Sequence, residues 1–457
     1  MQGLGRSLLR SAPVAALCAL TASAAGLTPG VAAAQSHAVP NGPASPNPVT
    51  GTPALAPTGT VEQIRQVVAC NGVMYAVGSF TQISGFNGTS TQTFTRNNVF
   101  SFSQSAPYTI TSWTPSTNGV VNSIQLTSDC KHAFIGGKFT QVDGSPADNI
   151  ADIRTYNNTM VQSWAHSANK LVDTILRTAN NHLLVGGQFT SINGTSKKYY
   201  VSLNLTNGKD DGYLNLSISG HYVFPGSGVS NTEVYNQQLS PDGGHVLAEG
   251  TFTKVQSNAR QQIFMLNLGS RGNVSTWYSN EFNAFCADKH PFYVKSAAWA
   301  PDMSQVYVAD TGFVPQGGGK LPGGLCDAVA AFPALRNGGL KHQWTNYTGC
   351  DSLYSVAADN STVYVGGHQR WANNPSGCNQ AGPGAIPAPG LGGFTHSGSL
   401  LTASGGSTGL YSRGRGLGAD QIYRTSAGIW IASDNLGGTD TCGNKSGLAG
   451  LCLLPYS

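Results

Sequence analysis

Tyr75-Ala76-Val77-Gly78-Ser79-Phe80-Thr81 decides the fold, because the same pattern returns along the chain at a nearly constant interval. It recurs as Phe134-Ile135-Gly136-Gly137-Lys138-Phe139-Thr140, as Leu184-Val185-Gly186-Gly187-Gln188-Phe189-Thr190, and as Leu247-Ala248-Glu249-Gly250-Thr251-Phe252-Thr253. Weaker copies follow at Tyr307-Val308-Ala309-Asp310, Tyr364-Val365-Gly366-Gly367 and Trp430-Ile431-Ala432-Ser433. The aligned column is Gly78, Gly137, Gly187, Gly250, Asp310, Gly367 and Ser433, with spacings of 59, 50, 63, 60, 57 and 66 residues. Repeats of this length mark stacked or circular architectures.

Each copy has the same interior. An alternating apolar segment such as Val121-Asn122-Ser123-Ile124-Gln125-Leu126 comes first, then a polar turn such as Pro241-Asp242-Gly243-Gly244 or Pro301-Asp302. The column strand follows, then a third strand such as Asn149-Ile150-Ala151-Asp152-Ile153-Arg154. A fourth ends near Trp113, Trp164, Trp277 or Trp344. Short apolar runs bounded by Gly, Asp, Asn and Ser read as strands joined by hairpins, and nothing in the unit has a helical period. The expected fold is therefore all-β: a seven-bladed β-propeller of four-stranded antiparallel blades. The column glycines are expected to let neighbouring blades approach, with the following Phe wedged between them. The last copy stops after its third strand, at Leu451-Cys452-Leu453-Leu454-Pro455. Residues from about Asn47 to Pro57 are expected to complete that blade and close the ring, which removes an open edge.

Composition agrees. The chain has 457 residues with 58 Gly and 23 Pro, which disfavours a helical bundle. Its 25 basic and 21 acidic residues are too few and too balanced for a nucleic-acid binder. Residues 1–34 read as a secretory signal peptide: Arg6 and Arg10 flank an apolar stretch, and Val31-Ala32-Ala33-Ala34 ends in small residues. Residues 35–46, rich in Pro, Ser, Asn and Ala, are expected to be a disordered lead, and 47–457 a single propeller domain. Cleavage leaves no membrane anchor, so the mature protein is expected to be secreted, extracellular and monomeric.

Export also fixes the reading of the cysteines. Cys70, Cys130, Cys286, Cys326, Cys350, Cys378, Cys442 and Cys452 remain after cleavage, and an oxidising compartment makes them disulfide candidates. Eight cysteines allow about 105 connectivities. Pairing of sequence neighbours is expected from short loop closure. Cys70 and Cys130 hold equivalent hairpin positions in adjacent repeats, and Cys442 and Cys452 flank the last hairpin.

Motifs of known chemistry are weak. Gly405-Gly406-Ser407-Thr408-Gly409 fits the pattern of a nucleophile elbow, but no helix follows and no His lies downstream. Gly317-Gly318-Gly319-Lys320 lacks the Ser or Thr of a phosphate loop. His132, His182 and His245 share one repeat position, and Asp129, Asp242, Asp302 and Asp359 recur in hairpin turns, so both sets read as structural. No metal site and no cofactor are expected.

The repeat breaks in its sixth copy, which continues Gly367-His368-Gln369-Arg370-Trp371-Ala372-Asn373-Asn374-Pro375 where Gly-x-Phe-Thr is due. Violations of a repeat gather at functional sites. The candidate ligand-binding residues are His368, Arg370, Trp371, Asn373 and Asn374, with Arg413, Arg415, Asp434 and Asp310 at equivalent or adjacent positions. Trp and Arg can stack on a sugar, and Arg and amides can hold its hydroxyls or a carboxylate. The alternative is a structural latch, with Arg370 and Trp371 over the closing blades and Arg413 paired with Asp434.

The Val-Gly-Gly-x-Phe-Thr unit resembles the secreted β-propeller repeats of actinobacterial exported proteins, often called delta-60 repeats. Tyr364-Val365-Gly366-Gly367-His368-Gln369-Arg370-Trp371 and Gly384-Ala385-Ile386-Pro387-Ala388-Pro389 are similar to stretches of that group. The resemblance implies a propeller and export, and it transfers no catalytic residue. Ala309-Asp310 in the fifth copy departs from it, as does the missing Trp of the sixth. The function expected is a non-catalytic extracellular binding or scaffold module for a glycan or protein ligand. A secreted carbohydrate-active enzyme, hydrolase or lyase, with its site at the channel mouth is the alternative, and it needs carboxylates that converge across the channel.

Overall fold

In a computed structural model, residues 42–222, 231–283, 286, 293–312, 325–436 and 441–456 are described. The expected signal peptide, and residues 35–41 of the expected lead, lie outside them. The described chain is all-β apart from one short 3-10 turn, Asn280–Asn283.

Among the described residues eleven antiparallel sheets form: seven, each built on one repeat, follow one another along the chain, and four smaller two- or three-stranded sheets accompany them. The inner strands of the seven are β1 (Gln63–Cys70), β2 (Val120–Leu126), β3 (Val172–Arg177), β4 (Val234–Leu239), β5 (Val294–Trp299), β6 (Leu353–Ala358) and β7 (Gln421–Thr425). Each pairs with the strand that carries the repeat column, and that strand pairs in turn with the third. Each inner strand lies beside that of the next sheet, and β7 lies beside β1, a propeller-type arrangement. Of the seven, the fourth and fifth have four strands and the other five have three. In the first two of those, the expected outer strand shrinks to single bridges, Phe102 to Ile110 and Ile153 to Met160. The chain then bends off the edge to bury Trp113 and Trp164.

Those tryptophans join sheet to sheet. Trp113 Nε1 donates to the Arg154 carbonyl, Trp164 to Leu205, Trp277 to Pro333 and Trp344 to His396, at 3.3, 3.1, 2.9 and 2.8 Å. Each acceptor belongs to the next sheet's third strand or lies just beyond it, so a large apolar ring is buried with its one donor satisfied. Phe80, Phe139, Phe189 and Phe252 are buried as expected.

The glycines have a different reason from the one expected. A Cβ on Gly78, Gly137, Gly187 or Gly250 would lie 2.0–2.3 Å from a carbonyl oxygen of its own sheet: Gln63, Val120, Leu171 or Glu233. The residue before the column is the one that faces the neighbouring sheet: a Cβ on Gly136 would meet Val172 Cγ1 at 2.5 Å. The carbonyl comes so close because β1 to β6 each hold one extra residue, a β-bulge. Their registers shift between Ile64 and Gln66, Val121 and Ser123, Val172 and Thr174, Val234 and Asn236, Val294 and Ser296, and Leu353 and Ser355. The expected strict alternation is therefore broken once per strand.

The N-terminal segment's pairing with the last strand starts earlier than the expected boundary at Asn47. Ala44, assigned to the disordered lead, is buried and bridges Tyr456. Its N–H donates to Tyr364 Oη (2.8 Å) and its carbonyl accepts from Tyr411 Oη (2.7 Å). The Ser45 and Val49 N–H groups donate to the Pro455 and Leu453 carbonyls at 2.7 and 3.0 Å. An alanine small enough to pass between two tyrosines holds this segment, which composition alone marked as lead.

The four disulfides join sequence neighbours: Cys70–Cys130, Cys286–Cys326, Cys350–Cys378 and Cys442–Cys452. Both of the individually expected pairs are among them. The repeated histidines pair with side chains on or beyond the third strand: His132 with Asp152 (2.9 Å), His182 with Asp211, past the strand (2.6 Å), and His245 with Asn267 (3.0 Å). The turn aspartates cap their own hairpins, Asp242 for instance accepting the Gly244 N–H at 2.9 Å.

Two measurements test this account. Gly137→Ala forces a backbone carbonyl to move, and is expected to cost about 3 kcal/mol in urea unfolding. Gly136→Ala meets only a side-chain methyl and should cost clearly less; equal costs would contradict the bulge explanation. The second concerns Glu249, fully buried with neither carboxyl oxygen hydrogen-bonded, which burial holds at about 8. The unfolded chain releases this proton near pH 4.5 while the folded chain keeps it, so stability falls as pH rises from there to about 8. Glu249→Gln is expected to flatten part of that fall in melting temperature, and an unchanged slope would contradict the assignment.

Candidate functional site

The sixth sheet's column strand, Val363–Gly367, delivers the break in the repeat. Gln369 takes the slot of the conserved-pattern Phe and is buried, with neither amide atom hydrogen-bonded. Arg370 takes the place of the Thr. Its Nε and Nη2 grip both oxygens of the buried Asp351 at 2.7 and 2.8 Å. Nη1 and Nη2 also donate to the Asn379 carbonyl and Oδ1, at 3.0 and 2.9 Å. The guanidinium lies 4.6 Å from the Trp371 ring centroid.

The two asparagines build the insert. Asn373 stands in left-handed backbone (φ 51°) and exchanges hydrogen bonds with Asn346. Buried Asn374 accepts the Gly382 N–H (2.8 Å) and donates to the Gln380 carbonyl (3.3 Å). Cys350–Cys378 ties the same insert to the residue beside Asp351.

Arg415 joins this cluster, its Nε donating to the His368 carbonyl (2.6 Å) and its Nη2 lying 3.4 Å from Asp351 Oδ1. His368 Nδ1 is 3.3 Å from Tyr354 Oη on β6. Burial, the largest cause, holds the His368 imidazole below its ordinary value, and both arginines add to this while Asp351 opposes it. Arg413 is buried and donates to Ser433 Oγ and to the Leu448 carbonyl. Asp434, also buried, accepts the N–H groups of Leu417, Gly418 and Leu436 at 3.0, 3.2 and 2.7 Å, holding the loop that carries Arg415.

Asp310 lies at the inner end of an acidic row. Its Oδ1 accepts the Ala328 N–H at 3.0 Å and its Oδ2 has no hydrogen bond. Burial pushes both Asp310 and Asp327 well above the usual carboxylate range, and Asp351 adds to the effect at Asp327. Among the described residues no group of His, Cys, Asp or Glu is placed to hold a metal ion. The Gly405–Gly409 run is a tight turn, with Gly405 and Gly406 both in left-handed backbone. The Gly317–Lys320 run lies outside the described residues.

Sequence reasoning missed the wall of the channel. A cavity of about 990 Å³ is bounded by the inner strands of all seven sheets. Each bulge turns its extra residue to this wall: Arg65, Asn122 and Asp173 from β1 to β3, then Tyr235, Lys295 and Tyr354 from β4 to β6. Asp420, just before β7, holds the equivalent place, its N–H donating to Ala432. The signal was an apolar spacing of three in place of two: Ile64 to Val67, Val121 to Ile124, Val172 to Ile175, Leu353 to Val356 and Ala419 to Ile422. His368 touches this wall through Tyr354, and Arg415 holds the His368 carbonyl, though neither is itself a lining residue.

No family model matches the chain, and no curated protein matches it. Solved structures do resemble it at low identity. Saccharomyces cerevisiae Sqt1 gives 9% identity and a TM-score of 0.47, with 86% of this chain and 95% of that one covered. U3-55K gives 10% and 0.45, covering 90% and 100%. A functionally unknown protein from Desulfotomaculum acetoxidans DSM 771 gives 12% and 0.41, covering 76% and 87%.

The geometry at Arg370 makes a prediction. Arg370→Ala leaves the buried Asp351 carboxylate with Arg415 alone at salt-bridge distance, and is expected to cost about 3 kcal/mol in urea unfolding. Arg370→Lys should recover only part, since one ammonium cannot span both Asp351 oxygens and Asn379. Full recovery by Lys would show that the fork geometry is irrelevant.

Proposed function

We propose that the protein is an exported, monomeric, seven-bladed β-propeller that serves as an extracellular binding or scaffold module for a glycan or protein ligand. In this reading the seven sheets are the blades, and residues 44–49 supply the outer strand of the last one, so that no edge stays open. Four disulfides fit an oxidising compartment, as does the resemblance of the repeat to exported propellers. The observation that carries the reading is a cavity lined by the seven inner strands, at whose wall Tyr354 meets His368, itself held by Arg415. Arg370, Trp371, Asn373 and Asn374 support that contact from behind, and Arg413 and Asp434 fix the loop beside it. Ligands of propellers are taken on such faces, while the fold leaves their identity open.

A carbohydrate-active hydrolase or lyase is the second reading, favoured by one observation. Asp173 and Asp420 both line the cavity, and burial holds them at about 8 and about 7, the range of a carboxyl that can act as general acid. Asp310 stands apart from this pair, within the acidic row behind Arg370.

Glycan-array and cell-surface binding, with reducing ends followed on polysaccharide suspensions, separates the readings. The module reading expects retention without new reducing ends, weakened at least fivefold by Arg415→Ala at an unchanged melting temperature. New reducing ends that vanish in Asp173→Asn would establish the enzyme instead. Retention untouched by Arg415→Ala would move the ligand away from this contact.

A further inference from the structure

The bulged residues differ in kind from their surroundings. Three of the six carry charge, and with Asp420 at the equivalent place before the unbulged β7 the signs alternate around the ring: Arg65, Asp173, Lys295 and Asp420, with Asn122, Tyr235 and Tyr354 between them. A bulge is a device for re-aiming a side chain, and it costs a ladder hydrogen bond. Six bulges at one level of six strands therefore mark a constraint that acts on the cavity. Packing is not that constraint, because these side chains are half-buried while their neighbours Ile64, Val121, Val172 and Val294 fill the interior.

Tyr235 donates to the Val294 carbonyl and Tyr354 contacts His368, but part of the charged residues' hydrogen-bonding capacity is unspent. Arg65 Nη1 donates to Asn122 Oδ1 at 2.6 Å, yet its Nε has no partner. Asp173 Oδ1 accepts from Asn122 Nδ2 at 3.2 Å, and its Oδ2 has none. Asp420 Oδ2 has none either. The Lys295 ammonium lies 4.8 Å from the Tyr235 ring centroid. Native proteins rarely leave so many buried polar atoms unpaired without a functional reason. Glu233, engaged by Gln188 at 2.5 Å, adds a third carboxyl at the edge of the ring.

We propose that this ring is the ligand site of the propeller, and that its ligand is an uncharged oligosaccharide; the inference rests on the binding-module reading. Three features select that chemistry. Once both carboxyls are ionised, above about pH 8, a ligand with a net charge of either sign would meet one opposed pair of ring charges. A hydroxyl both donates and accepts, so a polyol can satisfy the free Arg65 Nε–H and the free Asp173 and Asp420 oxygens together. Tyr235 and Tyr354 offer aromatic surface to the C–H faces of a sugar ring. The cavity volume falls at the upper end of small-ligand pockets, which suits a short oligosaccharide better than a single sugar. Burial holds Asp173 at about 8 and Asp420 at about 7, so near neutral pH each carboxyl can donate as well as accept.

The test is an array of neutral, uronic-acid and amino-sugar oligosaccharides, with free glycine as a zwitterionic probe in titration calorimetry. A neutral oligosaccharide is expected to bind, and Arg65→Met and Asp420→Asn to weaken it at least tenfold while the circular dichroism spectrum is retained. Lys295→Met, which removes an ammonium lying over Tyr235 and in the field of the Asp173, Glu233 and Asp420 carboxyls, serves as a third variant should either of those fail to fold. Preference for the uronic-acid or amino-sugar arm, or binding of glycine alone, overturns the neutral assignment. Neutral-glycan binding that falls in Arg415→Ala but not in the ring variants overturns the ring and leaves the module reading intact. A protein ligand without any glycan binding does the same.

Discussion

A carbonyl oxygen occupies the place of a Cβ at the repeat column, and most of the architecture follows from that contact. In five of the six bulged sheets the column is a glycine whose Cβ would meet the carbonyl opposite, where the inner strand holds one residue too many; the fifth sheet accommodates Asp310 opposite the same bulge. The extra residue tightens the local twist, and its side chain leaves the pleat for the channel. One steric fact thus accounts for the Gly of the repeat, for the twist that sets each sheet against the next, and for the polar lining of an otherwise apolar interior. The tryptophan pins and the wedged phenylalanines then lock adjacent sheets at the spacing the glycines permit.

Most of the fold was legible in the sequence. Seven copies of the column, hairpin turns with their Asp caps, the buried Phe and the disulfide pairs all appear in the structure, because each is a local pattern repeated with the blade period. The reason for the glycine was misread, since a close approach within a sheet and one between sheets leave the same residue behind. The bulge was hidden for a related cause: Val121-Asn122-Ser123-Ile124 passes for alternation unless the spacing of its apolar residues is counted. Ala44 was misassigned because composition describes a segment's average, whereas one small residue between two tyrosine hydroxyls decides its place.

The candidate site divides along the same line. Sequence reasoning drew attention to His368–Asn374 because they break the pattern, and of these His368 touches the cavity wall, at Tyr354. Arg370, Asn373 and Asn374 nevertheless spend their hydrogen bonds inside the chain, holding Asp351 and the disulfide-tied insert. The residues with capacity to spare obey the repeat geometrically while varying in chemistry. A conserved backbone position with a variable side chain gives no anomaly to notice. It becomes visible only when seven strands are seen to aim at one space.

The pairing of residues 44–49 with the strand Leu451–Pro455 has a consequence for biogenesis. Segments made roughly 400 residues apart must meet before the last sheet is complete. During synthesis the first six sheets can form in order as they emerge, while the early segment waits without its partner. Until residue 456 is made, the strand Leu451–Pro455 and the segment 44–49 each lack the neighbour they hold in the finished structure. Completion of the last sheet is thereby tied to completion of the chain, and both bare edges are covered in a single last step.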